Sequence, residues 1–190
     1  MVARVALTLL RRMASSSSAY PRLSTKESTL FVARRLVAAA DVLEMPIIGT
    51  EQYPKGLGHL VSELQLPQSV KIFDKTKFTM CIPPVMDVLP SSTKTIILCG
   101  IEAHVCVLQT ALDLLEKGYG VHVVVDATSS RSPVDRAFAF KQLEKAGAVL
   151  TTSECTILGL VGGSDHAKFK QVQKLIMESA PDTGLTLAHI

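Results

Sequence analysis

Apolar runs of strand length alternate with segments of helical period along most of this chain, and this alternation limits its fold more than any other feature. The clearest run is Thr-Ile-Ile-Leu-Cys at residues 95–99, closed by Gly100. A continuous apolar run of this kind is typical of a parallel strand buried on both faces. Strands joined by helices in this order predict a Rossmann-like, three-layer α/β/α fold, with a parallel sheet and right-handed crossovers.

The other segments follow the same pattern. Helical spacing and strand-like runs are read from the recurrence of apolar residues and from the turn residues between them. The pattern predicts helices over residues 28–44, 105–117, 134–145 and 167–177, and strands over residues 47–50, 70–73, 95–99, 121–125 and 148–151. Ser28 is a candidate cap for the first helix, and the turn-rich residues 53–58 predict a surface loop.

The first 27 residues differ in composition from the rest of the chain. Five basic residues precede the first acid, Glu27, and Ser15 to Ser18 form a serine run. This composition is typical of a mitochondrial presequence, and the alternative is a disordered tail. The apolar stretch from Val2 to Leu10 also suits a secretory signal, but the serine tract favours mitochondrial import. We therefore predict a mitochondrial location, with a cytoplasmic or nuclear location as the alternative.

Charge and cysteine spacing exclude several classes of protein. The formal net charge is only +3 and the basic residues are spread along the chain, so charge does not indicate a nucleic-acid partner. No apolar run reaches the roughly 18–20 residues that span a bilayer. The four cysteines have neither disulfide-framework nor zinc-site spacing, and no GxGxxG follows a strand. The sequence predicts no metal, no cofactor and no membrane partner.

Cys106 is the most informative candidate for chemistry. Ligands of open parallel sheets bind beyond the carboxyl ends of the strands, and Cys106 follows the clearest strand at the predicted start of a helix. A helix N-terminus favours a thiolate and offers N–H groups to an oxyanion. On this spacing alone, a nucleophile and a buried core thiol both remain open. Cys81, Cys99 and Cys155 are expected to be small buried apolar side chains.

Four segments, in the same order along the chain, resemble the isochorismatase-like cysteine hydrolases. They are GTEQYPKGLG at 49–58, KTKFTM at 75–80, LCGIEAHVCVLQT at 98–110 and VVVDATSSRS at 123–132. The resemblance runs from about Ser28 to Leu185, so we predict an isochorismatase-like domain over residues 28–185 and a short tail at 186–190. It implies a fold related to nicotinamidases.

The resemblance also implies a catalytic site. Cys106 matches the nucleophile and Lys75 the supporting lysine. The family's cis peptide bond would join Ile101 to Glu102, and the N–H groups of Glu102 and Cys106 would form the oxyanion hole. The implied substrate is a small amide or related molecule of unknown identity, and a homo-oligomer is implied as well.

Other polar residues near these motifs have simpler interpretations. Lys71 and Lys77 are more typical of solvated lysines than of catalytic ones. His104 precedes Cys106 by two residues, and a pocket-lining or exposed position is favoured over a role as the base.

This chain differs from the family at the first strand. In the family, that strand ends in a catalytic Asp. This chain has no Asp before Asp41, which lies inside the first predicted helix. We therefore expect the first strand and its Asp to be missing, although Val2 to Leu10 could fill the gap in the sheet. Asp74 could pair with Lys75, and Asp126 could partly replace the lost acid, with a structural role favoured for Asp126.

Two functional hypotheses follow. The first is a cysteine hydrolase that acts through Cys106 and Lys75 and is impaired by the loss of the Asp. The second is a catalytically silent family member that binds a small molecule or a protein.

Overall fold

A computed structural model describes residues 3–8 and 25–183, the first segment by its backbone. The described residues form one six-stranded parallel sheet in the order β3-β2-β1-β4-β5-β6. The strands are β1 Ala3–Thr8, β2 Ile47–Gln52, β3 Lys71–Lys75, β4 Thr95–Ile101, β5 Gly120–Ser129 and β6 Val149–Thr151.

Helices cover both faces of this sheet, which confirms the three-layer α/β/α prediction. They are α1 Thr25–Val42, α2 Pro54–Leu57, α3 Pro83–Asp87, α4 Leu108–Glu116, α5 Pro133–Lys145, α6 Ser153–Val161 and α7 Phe169–Ile176. Alternate residues of β4 pack on opposite sides: Ile97 lies in the core with α1, α6 and α7, and Leu98 lies in the core with α4 and α5. β4 is buried along its whole length, as its continuous apolar run predicts.

The central strand is supplied by residues 3–8. Val5 of β1 lies opposite Ile47 of β2 on one side and Ile97 of β4 on the other, and both pairings are parallel. The expectation that the sheet lacks its first strand is therefore wrong. The backbone N–H and C=O groups of two buried neighbouring strands need partners, and this short extended segment supplies them. Residues 9–24 of the predicted presequence lie outside the described residues, and mitochondrial import stays a prediction.

Smaller differences concern element boundaries. The predicted helix 28–44 begins at Thr25, so Ser28 lies inside the first turn of α1 and is not its cap. The predicted loop 53–58 contains the short helix α2. α6 was not predicted, and it follows β6 after a single residue. No helix among the described residues is long and apolar enough to cross a membrane.

Candidate active site

Cys106 lies in a π-helical turn, Ala103–Val107, between β4 and α4. The Ile101–Glu102 peptide bond before this turn is cis, as the resemblance implies. The N–H groups of Val105 and Val107 both donate to the carbonyl of Glu102, each at 3.1 Å. Cys106 lies two residues before the start of α4 and not in its first turn, and it is only 7% exposed.

Lys75, at the end of β3, extends its ammonium group to this cysteine. Its Nζ lies 3.7 Å from Cys106 Sγ. It also donates to the carbonyl oxygens of Phe78 at 2.8 Å and Lys77 at 3.1 Å. The residue is 4% exposed. Burial lowers the pKa of Lys75 below that of a solvated lysine, while the neighbouring Cys106 acts in the opposite direction.

Three charged side chains close to Lys75 in the sequence are exposed and are not buried with it. Successive side chains of a strand face opposite sides, and Asp74 is exposed where Lys75 is buried. Asp74 therefore does not provide the carboxylate that the sequence suggested for Lys75. Lys71 and Lys77 are exposed, as expected of solvated lysines.

Gln52 is a site residue that the sequence reasoning missed. Its Oε1 accepts from Lys75 Nζ at 2.6 Å, and its Nε2 donates to the carbonyl of Thr76 at 2.7 Å. Gln52 and Lys75 are also register partners across β2 and β3. A signal for it existed, because Gln52 ends β2 on the same sheet edge as Lys75, but the predicted strand stopped two residues earlier, at Thr50.

Thr110 joins the two segments that carry the cysteine and the lysine. Its Oγ1 donates to the carbonyl of Cys106 at 2.6 Å and accepts from the N–H of Met80 at 2.9 Å. Thr110 is fully buried. The turn that holds Cys106 is thus tied to the loop that follows Lys75.

His104 faces the loop after β5. Its Nδ1 lies 2.9 Å from Ser130 Oγ and 3.8 Å from Glu102 Oε2. The Glu102 carboxylate in turn accepts from the N–H of Arg131 at 2.8 Å. His104 is half-buried in these contacts.

Asp126 has a structural role, as the sequence analysis favoured. Its carboxylate accepts from both the N–H and the hydroxyl of Ser153, at 2.8 and 2.7 Å, and so anchors the start of α6. Burial raises the pKa of Asp126, and the hydrogen bonds from Ser153 oppose that rise. Asp41 is exposed on α1. Among the residues described with side chains, no carboxylate forms an ion pair with Lys75.

The other cysteines lack the features of Cys106. Cys99 is fully buried inside β4, and burial raises its pKa far above that of a free thiol. Burial also raises the pKa of the half-buried Cys81. Cys155 is exposed. Within the described part of the chain, no group of three or more His, Cys, Asp or Glu residues could hold a metal ion.

Comparison with known proteins agrees with this architecture. The isochorismatase domain model matches residues 9–155. Isochorismatase domain-containing protein 2 of Xenopus laevis is 55% identical over 156 residues, which cover 81% of this chain and 76% of that protein. Isochorismatase domain-containing protein 1 of Danio rerio is 47% identical over 156 residues, which cover 81% of this chain and 55% of that protein.

Solved structures give the same result. The structure described as MAR1 ribonuclease from Caenorhabditis elegans is 57% identical, covers 97% of this chain and 94% of its own, and superposes with a TM-score of 0.87. The YcaC gene product of Escherichia coli is 23% identical, covers 92% of this chain and 88% of its own, and has a TM-score of 0.76, which shows a shared fold.

Proposed function

We propose, because this chain belongs to the isochorismatase family, that it is a cysteine hydrolase whose Cys106 thiolate attacks a small amide or a related carbon centre. The observation that carries the proposal is the 3.7 Å contact between Cys106 Sγ and Lys75 Nζ in a buried site. A buried ammonium beside a thiol favours its thiolate, which is the reactive form. The identity of the substrate is left open.

The proposed reaction has two stages. In the first, the thiolate forms a C–S bond and the carbonyl electron pair moves to oxygen, where the N–H groups of Glu102 and Cys106 hold the oxyanion. The C–N bond then breaks, the amine leaves with a proton, and a thioester remains on Cys106. In the second stage water attacks the thioester, the C–S bond breaks, and the acid leaves as the thiolate is restored.

The protons can be carried by Lys75. Burial lowers its pKa, so its ammonium gives up a proton more readily than a solvated lysine does. It can therefore supply the proton that the leaving amine takes, and the neutral amine can then accept one from the attacking water. In the family pattern a carboxylate takes part in these transfers. Because none accompanies Lys75 among the described side chains, we expect slower turnover than in relatives that have the Asp.

Lys75→Met should lower kcat/KM at pH 7 by roughly 10²–10⁴-fold, the usual contribution of a positioned acid–base group. The pH profile should change as well. Because burial lowers the pKa of Lys75 below the 10.5 of a solvated lysine, wild-type activity should fall with rising pH before pH 10.5 is reached. The variant should lack this alkaline loss. Initial rates measured from pH 6 to pH 10.5 test this.

Variants of neighbouring residues provide the controls. Gln52→Leu keeps the size of the side chain but removes the 2.6 Å acceptor of Lys75, so a smaller loss in the same direction is expected. Gln52→Glu keeps an acceptor at this position and should be less impaired than Gln52→Leu. Lys71→Met alters an exposed lysine and should leave the profile unchanged. Equal profiles for all four variants and the wild type would contradict the role of Lys75.

The silent binding protein remains the alternative, motivated by the absence of any Asp before Asp41. Turnover is to be measured on a panel of small amides and isochorismate, with Cys106→Ala as the control. A rate that depends on Cys106 rules out the silent protein. The absence of any such rate, together with binding of a panel compound, would favour it.

A second candidate activity is cleavage of RNA, because the 57% identical Caenorhabditis elegans protein is described as a ribonuclease. Exposed aromatic side chains of Tyr53 and Phe78 support it. The N–H of Tyr53 donates to the carbonyl of Lys75 at 2.8 Å, and the carbonyl of Phe78 accepts from Lys75 Nζ, so both residues lie beside the site. Aromatic rings near cationic groups are typical of surfaces that stack single-stranded bases.

Cleavage of RNA disagrees with the charge-based prediction of no nucleic-acid partner. A direct assay of RNA cleavage decides between these alternatives. Fluorescent single-stranded RNA is incubated with the wild type, Cys106→Ala and the Tyr53→Ala/Phe78→Ala double variant. Cleavage that falls in both variants would support the RNA activity. Intact RNA under conditions where a small amide is hydrolysed would exclude it.

A further inference from the structure

Helix α5 has apolar side chains on both of its faces. Its inner face buries Ala139, Phe140 and Leu143. On its outer face Val134 is 65% exposed and Phe138 is 61% exposed, one helical turn apart. A helix on the surface of a domain ordinarily presents polar residues to water, and exposed apolar side chains grouped on one face mark association sites. The outer face of α5 therefore has the character of an interface.

We propose that a second copy of this chain covers this face, with the two α5 helices packed antiparallel about a two-fold axis near Phe138. In such an arrangement each Phe138 contacts the partner's Phe138. Val134 then lies opposite the partner's Gln142. Isologous two-fold pairing is the commonest way in which identical chains associate, and it needs only one self-complementary patch.

Two charged side chains on α5, Asp135 and Lys141, favour this pairing and its direction. Asp135 and Lys141 are exposed and lie three residues before and three residues after Phe138. An antiparallel pair brings Asp135 of each chain to the partner's Lys141, forming two equivalent ion pairs. A parallel pair would instead set like charges against each other. Lys141 already lies along the phenyl ring, with its Nζ 5.9 Å from the Phe138 ring centroid, so its charge is held at the edge of the apolar patch.

Three other strongly exposed apolar side chains, those of Met177, Tyr53 and Phe78, do not offer the same combination. Met177 is 78% exposed and directly follows the last residue of α7. Tyr53 and Phe78 lie beside the candidate active site, where a substrate would approach. The outer face of α5 unites two apolar side chains with complementary charges on a single helix. The proposed association does not depend on the chemistry at Cys106.

Sedimentation velocity on the full chain over a concentration series tests the proposal. The wild type should sediment as a dimer of the 20.5 kDa chain or as an even multiple of it. Phe138→Lys should weaken the association at least about thirtyfold, as expected when a central apolar contact residue is lost. Met177→Lys, which changes an exposed apolar residue away from α5, should not alter the mass of the sedimenting oligomer. Circular dichroism shows whether each variant stays folded.

A charge exchange tests the antiparallel direction. Asp135→Lys and Lys141→Asp should each weaken the association, because each places like charges together across the axis, and the double variant should recover it. A wild type that stays monomeric at every concentration would overturn the proposal. So would an unchanged mass for folded Phe138→Lys, or a double variant that associates no better than the single ones.

Discussion

Removal of residues 1–8 is expected to leave a chain that does not fold. β1 has four partner residues on β2 and six on β4, so its loss separates β3 and β2 from the other three strands. Each buried backbone group left without a hydrogen bond costs about 1–3 kcal/mol. Several such groups together exceed the roughly 5–15 kcal/mol by which a domain is ordinarily stable. Soluble yield, circular dichroism and thermal unfolding measure the effect.

Two point variants support this test. Val5→Pro removes a backbone donor in the middle of the central strand, where proline is not tolerated, and should also prevent folding. Val5→Ile keeps both the donor and the β-branched character and should fold. A shortened chain that unfolds at the wild-type temperature would contradict the structural role of β1. That result would instead favour residues 1–27 as a removable presequence, because cleavage during mitochondrial import would also remove β1.

Cys106→Ala should lower the hydrolysis rate at least about a thousandfold, because no other group on the proposed pathway can form the thioester. The matched control is Cys155→Ala, which removes an exposed thiol and should retain wild-type activity. Thermal unfolding separates loss of chemistry from loss of fold. A folded Cys106→Ala protein with the wild-type rate would show that another residue performs the reaction.

Some strands and helices could be predicted from the sequence and others could not, for physical reasons. β4 was predicted because strands buried on both faces need a continuous apolar run. β1 was ambiguous because a short apolar segment with arginines suits both a central strand and a targeting peptide. Its pairing with β2 and β4 shows the strand, and mitochondrial import stays a prediction. α6 was not predicted from the sequence. Its nine residues bury Ile157 but leave Leu158 exposed, so the apolar residues do not mark one buried face of a helix.

The candidate site was partly predictable as well. Cys106 and Lys75 were identified through strand ends and motif resemblance, but their contact depends on how the π-helical turn meets β3. Two of the acceptors that hold Lys75 are the backbone carbonyls of Lys77 and Phe78. Every residue has a carbonyl, so no sequence pattern reveals which ones converge. Gln52 was missed because its role depends on its register with Lys75 across two strands.

The rate at which iodoacetamide labels each of the four cysteines tests most directly whether Cys106 and Lys75 form a reactive pair. Exposure alone would make Cys155 react first, since it is exposed and Cys106 is 7% exposed. If Lys75 activates the buried thiol, peptide mass spectrometry will find Cys106 labelled ahead of Cys155, and Lys75→Met will remove that lead. If Cys106 is labelled no faster than Cys155, and Lys75→Met does not change its rate, the result would contradict a reactive pair of Cys106 and Lys75.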